Sequence, residues 1–143
     1  MTNATMTTFG FPETLVRQYE HWAVLLRPAQ VTLGSLVLAS TSEAMAFGAL
    51  AAGAHAELGT IIPDIEAALR DFVRYEKINY LMLMMVDPHV HFHVLPRYSG
   101  TREWDGLHLA DAGWPGVPDL KSATALDLGQ QARLRDEIAA QFD

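Results

Sequence analysis

Three histidines lie at alternate positions in the second half of the chain, and their type and spacing point to chemistry. His89, His91 and His93 are separated by single apolar residues, and two further apolar residues follow. Because the side chains of a β-strand alternate between its faces, the pattern predicts a strand with three imidazoles on one face and apolar side chains on the other. An imidazole is a nucleophile or base near neutral pH, so the pattern predicts a reactive site on a rigid support.

The same run resembles the motif of the histidine triad (HIT) family, His-φ-His-φ-His-φ-φ, where φ is an apolar residue. All seven positions from His89 to Leu95 comply, and Pro28 and Gly34 echo the loop of a hairpin that is common in the family. The resemblance implies a nucleotide hydrolase or nucleotidyl transferase that forms a homodimer. It also implies that the middle histidine, His91, attacks the α-phosphorus.

In the mechanism that the resemblance implies, His91 is the catalytic residue and carries a covalent nucleotidyl group. His89 and His93 bind the substrate, by donating hydrogen bonds to phosphoryl oxygens or by moving the proton of the leaving group. No metal and no cofactor are needed, because the imidazoles supply both nucleophile and donors. Arg97 and Arg27 are the candidate phosphate-binding cations. The alternatives are an ion pair with C-terminal acidic groups for Arg97 and a solvated strand end for Arg27.

The sequence departs from the family just before the motif. Many members carry a Gln or Ser there, in a Gly-rich loop that helps to hold phosphate, whereas this chain has Met85, which cannot donate a hydrogen bond. Asp87 and Pro88 predict a tight turn instead of that loop. A negative Asp87 would raise the pKa of nearby imidazoles and repel phosphate, unless it only bonds its own backbone. A nucleotide-binding or regulatory protein with weak or no catalysis is therefore the alternative function.

The histidines also fit two other interpretations, a polar surface strand and a metal site. Imidazoles suit Zn, Cu, Fe and Ni. However, no acidic residue between His93 and Glu103 completes a His-X-His-and-Glu ligand set, and barrel hydrolases with His-X-His need a much longer chain. A metal-dependent enzyme with the three histidines as ligands stays as a further alternative.

Composition narrows the class of protein. The chain has 143 residues, which fits one compact domain, and half of them are apolar. It has no cysteine, no apolar run long enough for a membrane span and no recognisable signal sequence, so we expect a cytoplasmic protein. A net charge of −7 argues against nucleic acid or an anionic membrane as partner.

The elements that must position the histidines are predicted as an α+β fold, with an antiparallel sheet, one long helix packed on it and a C-terminal helix. Residues 1–10 are polar and Thr-rich, which predicts a loose tail before a single domain at 11–143. Its core is expected at about 20–98, followed by a loop and a helix at 99–143. Within the core, a hairpin of strands is predicted at 22–26 and 35–39.

Four further segments are predicted from periodicity and capping signals. A short helix begins at Pro12, and the Ser40–Glu43 capping box opens a helix that Pro63 kinks or divides before it ends near Val73. An apolar run predicts a central strand at 77–86 that forms a hairpin with the histidine strand. Residues 99–121 predict an ordered loop or lid, and residues 127–142 predict an amphipathic helix.

Overall fold

A five-stranded antiparallel sheet lies at the centre of the computed structural model, which describes residues 2–142. In the spatial order β1-β2-β4-β6-β5, its strands are β1 (Leu15–Gln18), β2 (Trp22–Leu26), β4 (Leu36–Ser40), β6 (His91–Arg97) and β5 (Lys77–Leu81). Two small antiparallel pairs lie outside it, β3 (Ala29–Gln30) with β9 (Thr124–Ala125) and β7 (Thr101–Trp104) with β8 (Leu107–Ala110). The α+β prediction is confirmed.

One face of the sheet is covered by two helices, α2 (Ala52–Val73) and α3 (Leu128–Ala139). Buried residues recur along both helices at helical spacing, so each helix presents an apolar stripe to the sheet. They pack with one face of the strands into the main core, and the helical contributors are Ile61, Ile65, Leu69, Val73, Leu134 and Ile138. Pro63 lies inside α2, which continues through it as one 22-residue helix.

The other face of the sheet carries the histidines, and the N-terminal segment covers part of it. Helix α1 (Ala4–Thr8) begins after Asn3, whose side chain accepts the N–H of Met6. Met6 is fully buried against small and branched side chains of β2 and β4, with Phe9 and Phe11 beside it. The prediction of a loose tail at residues 1–10 is therefore wrong for the described residues, because Met6 and Phe9 fill a shallow apolar surface that the sheet would otherwise expose.

Three other segments differ from the sequence prediction. Pro12 lies in turns before β1 and starts no helix, and Ser40 ends a strand, so the predicted capping box does not form and α2 begins only at Ala52. In the predicted loop at 99–121, residues 101–110 form the β7–β8 hairpin. The C-terminal helix is confirmed, with a capping box between Asp127 and Gln130.

The segment before the histidine strand is the largest correction. The predicted strand at 77–86 ends at Leu81, and residues 82–90 form a loop before β6 begins at His91. Met84 has φ +51°, a left-handed backbone that a β-strand cannot continue through. The antiparallel pairing of β5 with β6 is confirmed, but β5 lies at the edge of the sheet and not at its centre.

Candidate active site

A cleft of about 230 Å³ opens on the histidine face, between the N-terminal segment and the 82–90 loop. β6 places His91 and His93 on its floor, since residues two apart on a strand share a face. Arg27 extends from the end of β2 into the same cleft. The full lining is Phe9, Arg27, Leu83, Met84, Met85, Val86, Asp87, His91 and His93. The cleft is therefore mostly apolar, with one cation and one carboxylate.

His91 is 1 % exposed, and its ring orientation is set by the backbone. Nδ1 lies 2.7 Å from the carbonyl oxygen of His89. A carbonyl oxygen only accepts, so Nδ1 carries the proton and, in the neutral ring, Nε2 keeps its lone pair. No hydrogen bond within residues 2–142 uses Nε2 of His91, which leaves that nitrogen available as a nucleophile.

His93 lies next to His91, with ring centroids 5.1 Å apart. Its Nδ1 is buried and has no hydrogen-bond partner within the described residues. Burial, together with smaller contributions from the nearby His91 and Arg27, lowers the pKa of His93 to about 4. His93 is therefore neutral near pH 7 and can offer a ring N–H, but not a positive charge. The ring of Phe9 packs against both imidazoles, with centroid distances of 5.6 and 5.7 Å.

Arg27 brings the positive charge that this cleft contains. Its guanidinium donates one hydrogen bond to the carbonyl oxygen of Ala29, while Nε is buried without a partner in the described part of the chain. Burial lowers the pKa of Arg27 from its usual value. A guanidinium in the wall of a cleft beside two imidazoles fits an anionic ligand group. The structure thus brings Arg27 together with His91 and His93 as predicted.

The structure does not bring His89 into the cleft. His89 precedes β6, and both of its ring nitrogens already have partners, Thr5 Oγ1 at 2.9 Å and Glu43 Oε1 at 3.0 Å. The prediction that three imidazoles project from one strand is therefore corrected to two, because the chain enters the strand only at His91. The predicted role of His89 as a substrate ligand is replaced by a hydrogen-bonded role within the protein.

Arg97 also lies away from the cleft. Its guanidinium forms a buried ion pair with Asp111, with Nε 2.6 Å from Oδ2, and donates to Oδ1 of Asn79 and to the carbonyl oxygen of Gly116. These acceptors use the guanidinium within the fold, so the structure corrects the prediction that Arg97 binds substrate. The alternative from the sequence, an ion pair with a C-terminal acidic group, is what the structure shows.

Met85 and Asp87 lie at the mouth of the cleft, on a loop that is longer than the tight turn expected from the sequence. Met85 is 86 % exposed and Val86 is 91 % exposed. Asp87 lines the cleft and is the acidic residue in its wall. The concern that Asp87 opposes an anionic ligand therefore stands as a property of this cleft.

Sequence reasoning missed the residues that α1 and its surroundings bring to the site, namely Thr5, Phe9 and Glu43. The spacing of Met6 and Phe9, three apart, was a signal for one apolar helical side, but a single turn of helix is too short for periodicity to be decisive. Nothing in the local sequence indicates that Glu43 meets a histidine 46 positions later.

The described residues contain neither a metal-binding cluster nor a membrane-spanning helix. Within residues 2–142, no group of three or more His, Asp or Glu side chains has a geometry that could hold a metal ion. No helix in the described part of the chain is long and apolar enough to cross a membrane.

Comparisons by sequence find no match, either to a protein-family model or to a curated protein. Comparisons by structure do. A histidine triad protein from Sinorhizobium meliloti has a TM-score of 0.72 at 21 % identity, covering 96 % of this chain and 99 % of that one. One from Bradyrhizobium japonicum has 0.71 at 17 % identity, covering 100 % and 98 %.

A third similar structure is a hypothetical histidine triad nucleotide-binding protein from Sulfolobus tokodaii. Its TM-score is 0.67 at 17 % identity, and the alignment covers 96 % of this chain and 88 % of that one. At identities this low, structural similarity establishes a shared architecture only. The activity has to be argued from the residues of the cleft. TM-scores of 0.67 to 0.72 over nearly the whole of this chain show that it has the histidine triad fold.

Proposed function

We propose that the chain is a metal-independent hydrolase or nucleotidyl transferase that acts on a nucleotide conjugate through a nucleotidyl group on His91. The observation that carries the proposal is the 2.7 Å hydrogen bond between Nδ1 of His91 and the carbonyl oxygen of His89. It directs the ring proton to Nδ1 and leaves Nε2 as a neutral nucleophile in a cleft that also holds unpaired donors. Covalent catalysis by histidine requires that the attacking nitrogen carries a free lone pair and no proton.

The reaction proceeds in two displacements at phosphorus. In the first, Nε2 of His91 forms a bond to the α-phosphorus, and the bond to the leaving group breaks with its electron pair going to that group, which takes a proton from water. The positive charge that develops on the imidazole is stabilised by the carbonyl oxygen of His89, which accepts the Nδ1–H. In the second, water or another acceptor attacks phosphorus and releases its proton to solvent, and the electron pair of the N–P bond returns to Nε2.

Arg27 and His93 bind the phosphoryl group in this proposal. Arg27 and His93 both line the cleft beside His91 and can bring N–H donors to a phosphoryl group there. Arg27 Nε and His93 Nδ1 are themselves buried without a partner in the described residues. Fixed donors of this kind stabilise the charge that builds on phosphoryl oxygens in the transition state. The apolar lining formed by Phe9, Leu83 and Met85 suits the face of a nucleobase.

A second candidate function is nucleotide binding with little or no turnover. Asp87 favours it, because a carboxylate in the cleft repels the anionic group that must approach His91. Met85 favours it as well, since a thioether cannot donate a hydrogen bond to a leaving group. Binding of adenosine monophosphate without turnover of either adenylyl substrate named below would support this candidate.

The test of the proposed function is whether His91 becomes covalently modified. Wild-type protein is mixed with labelled adenosine 5′-phosphoramidate or diadenosine triphosphate, quenched under alkaline denaturing conditions and digested. We expect an acid-labile adenylyl adduct on the peptide that contains His91, and turnover that persists after exhaustive EDTA treatment. Loss of turnover with chelator and recovery with one metal would favour the alternative in which the histidines are metal ligands.

The matched variants are His91→Asn and His55→Asn. His91→Asn should remove both the adduct and turnover while nucleotide binding stays within a few-fold, because the binding contacts come from other residues. His55 lies on the exposed surface of α2, so His55→Asn should behave as wild type. Equal turnover by wild type and His91→Asn would show that His91 is not the nucleophile.

A further inference from the structure

The side chain of His89 belongs to a hydrogen-bond chain that the proposed reaction does not use directly. Its Nδ1 lies 2.9 Å from Oγ1 of Thr5, and its Nε2 lies 3.0 Å from Oε1 of Glu43. The Thr5 hydroxyl oxygen also accepts the backbone N–H of His89 at 3.2 Å. His89 is therefore held at its backbone and at both ends of its ring.

The acceptors in this chain fix where the protons lie. A carboxylate only accepts, so Nε2 of His89 carries the proton toward Glu43, and in the neutral ring Nδ1 then accepts from the Thr5 hydroxyl. His91 has the opposite arrangement, because its Nδ1 faces the carbonyl oxygen of His89. The structure thus requires opposite neutral tautomers in two histidines that lie two positions apart.

Thr5 is itself firmly placed. The side chain of Asn3, which caps α1, donates to the carbonyl oxygens of Ser40 and Ser42 at the end of β4. Thr5 and Met6, in the next turn, are buried. The hydroxyl that contacts His89 is therefore fixed to the central sheet through α1.

We propose that Thr5 is a positioning residue for His91, with Glu43 as a weaker second contact. Thr5 holds His89, and His89 presents the carbonyl oxygen that keeps the proton of His91 on Nδ1 and the lone pair on Nε2. Thr5 does not line the cleft, so it acts through His89. The Glu43 side chain is 71 % exposed, so water can take over its contact. The kinetic part of this inference rests on the proposed function, while the tautomer part does not.

The decisive variant is Thr5→Val, which keeps the shape of the side chain and removes its hydroxyl. We expect kcat for adenosine 5′-phosphoramidate to fall roughly 10–100-fold, by analogy with the loss of a partner that orients a metal-binding histidine. KM should stay within about threefold, because Thr5 makes no contact in the cleft. The ring ¹⁵N signals of His91 should change from a single Nδ1–H tautomer to a mixture.

Two further variants control for a general effect of changing α1. Thr5→Ser retains the hydroxyl and should restore both kcat and the single tautomer. Thr8→Val makes the same substitution one turn later, where the hydroxyl bonds only to the carbonyl oxygen of Ala4, and should leave both unchanged. A folded Thr5→Val protein with wild-type kcat and an unchanged His91 tautomer would overturn the inference.

The wild-type protein provides a test that does not depend on any variant folding. At about pH 8.5, where an ordinary histidine is neutral, the ring ¹⁵N shifts should show His89 as the Nε2–H form and His91 as the Nδ1–H form. The same tautomer in both residues, or a mixture in either, would overturn the inference. Since these spectra need no substrate, wild-type protein that shows them without any turnover would contradict the proposed function alone.

Discussion

At the scale of single residues, the cleft combines imidazoles with one cation and one carboxylate. His91 is oriented by a backbone carbonyl, and burial keeps His93 uncharged near pH 7. Arg27 is the cation in this cleft, and Asp87 is its carboxylate. Ligand binding should therefore depend strongly on Arg27, because the neutral His93 contributes a hydrogen bond without net charge.

Replacing Arg27 tests that dependence. Arg27→Gln removes the charge while keeping a polar side chain, and it should raise KM for an adenylyl substrate about 10–100-fold, since a charge-assisted hydrogen bond is worth about 1.5–3 kcal/mol. Steady-state kinetics measures the effect. The matched control is Arg133→Gln, which removes an arginine paired with Asp105 outside the cleft and should leave KM unchanged. An unchanged KM in Arg27→Gln would show that Arg27 is a structural residue.

At the scale of elements, two segments outside the main core complete the histidine face. The N-terminal segment covers one end of the face through Met6 and brings Phe9 to the cleft. At the other end, Arg97 on β6 binds Asp111 and the carbonyl oxygen of Gly116, in the loop after β8. Arg97, which the sequence suggested for substrate binding, thus attaches this loop to the sheet.

Breaking that attachment should destabilise the fold without altering the chemistry of the cleft. Asp111→Asn leaves the buried Arg97 charge without its counter-ion, and removing one partner of a buried pair typically costs about 3–5 kcal/mol. Urea denaturation measures the free energy of unfolding. Asp105→Asn removes the carboxylate of an exposed pair with Arg133 and should leave stability nearly unchanged. Equal stability of the two variants would mean that the Arg97 pair contributes no more than a surface pair.

At the scale of the whole molecule, the sheet has one face closed by helices and one face divided between a small core and the cleft. The main core lies between the sheet and α2 with α3, and the second, smaller cluster lies under α1. Burying neutral histidine on the second face has a consequence for stability, because the unfolded chain can protonate that histidine and the folded chain cannot.

The stability of the protein should therefore fall in acid partly because of His93. Between pH 6.5 and about 4 the unfolded state binds the proton that the folded state lacks, so the contribution of neutral His93 is complete above pH 6.5 and lost as pH falls through about 4. The difference corresponds to roughly 3 kcal/mol. Urea denaturation at pH 7.5 and pH 4.5 should show a smaller drop for His93→Gln than for wild type. An equal drop in both proteins would contradict the burial of a neutral imidazole.

Assembly is the other prediction at this scale. β5 pairs with β6 on one side only, and the exposed apolar side chains of Leu83, Met85 and Val86 follow it directly. Unpaired strand edges and contiguous apolar surface are common at protein interfaces. We expect a homodimer, as the resemblance to the histidine triad family also implied. Light scattering at micromolar concentration measures the mass, and a monomer would contradict the prediction.

The sequence by itself determined the elements whose signal is local and repeated. Alternation from His89 onward predicted a strand with three imidazoles on one face, and the strand that forms at His91–Arg97 presents two of them. Apolar spacing predicted helices in the segments of α2 and α3. The resemblance of the motif to that of the histidine triad family implied the fold, whereas alternation alone predicts only a strand with a core on one side. These elements can be predicted because the spacing of apolar residues within a segment depends on which face of that segment is buried. The rest of the chain is not needed for that prediction.

Only the tertiary structure decided what the remaining side chains contact. Residues 2–9 look like a polar tail, yet they are ordered because β2 and β4 offer a shallow apolar surface that Met6 covers. His89 and Arg97 share the type and spacing of site residues, but neighbours far along the chain, Thr5 and Asp111, bind them inside the fold. Such hydrogen bonds and ion pairs depend on which side chains the fold brings together. A buried polar group is almost always hydrogen-bonded, whatever the sequence position of its partner. The local pattern contains no information about that partner, so the cleft residues became distinguishable only in three dimensions.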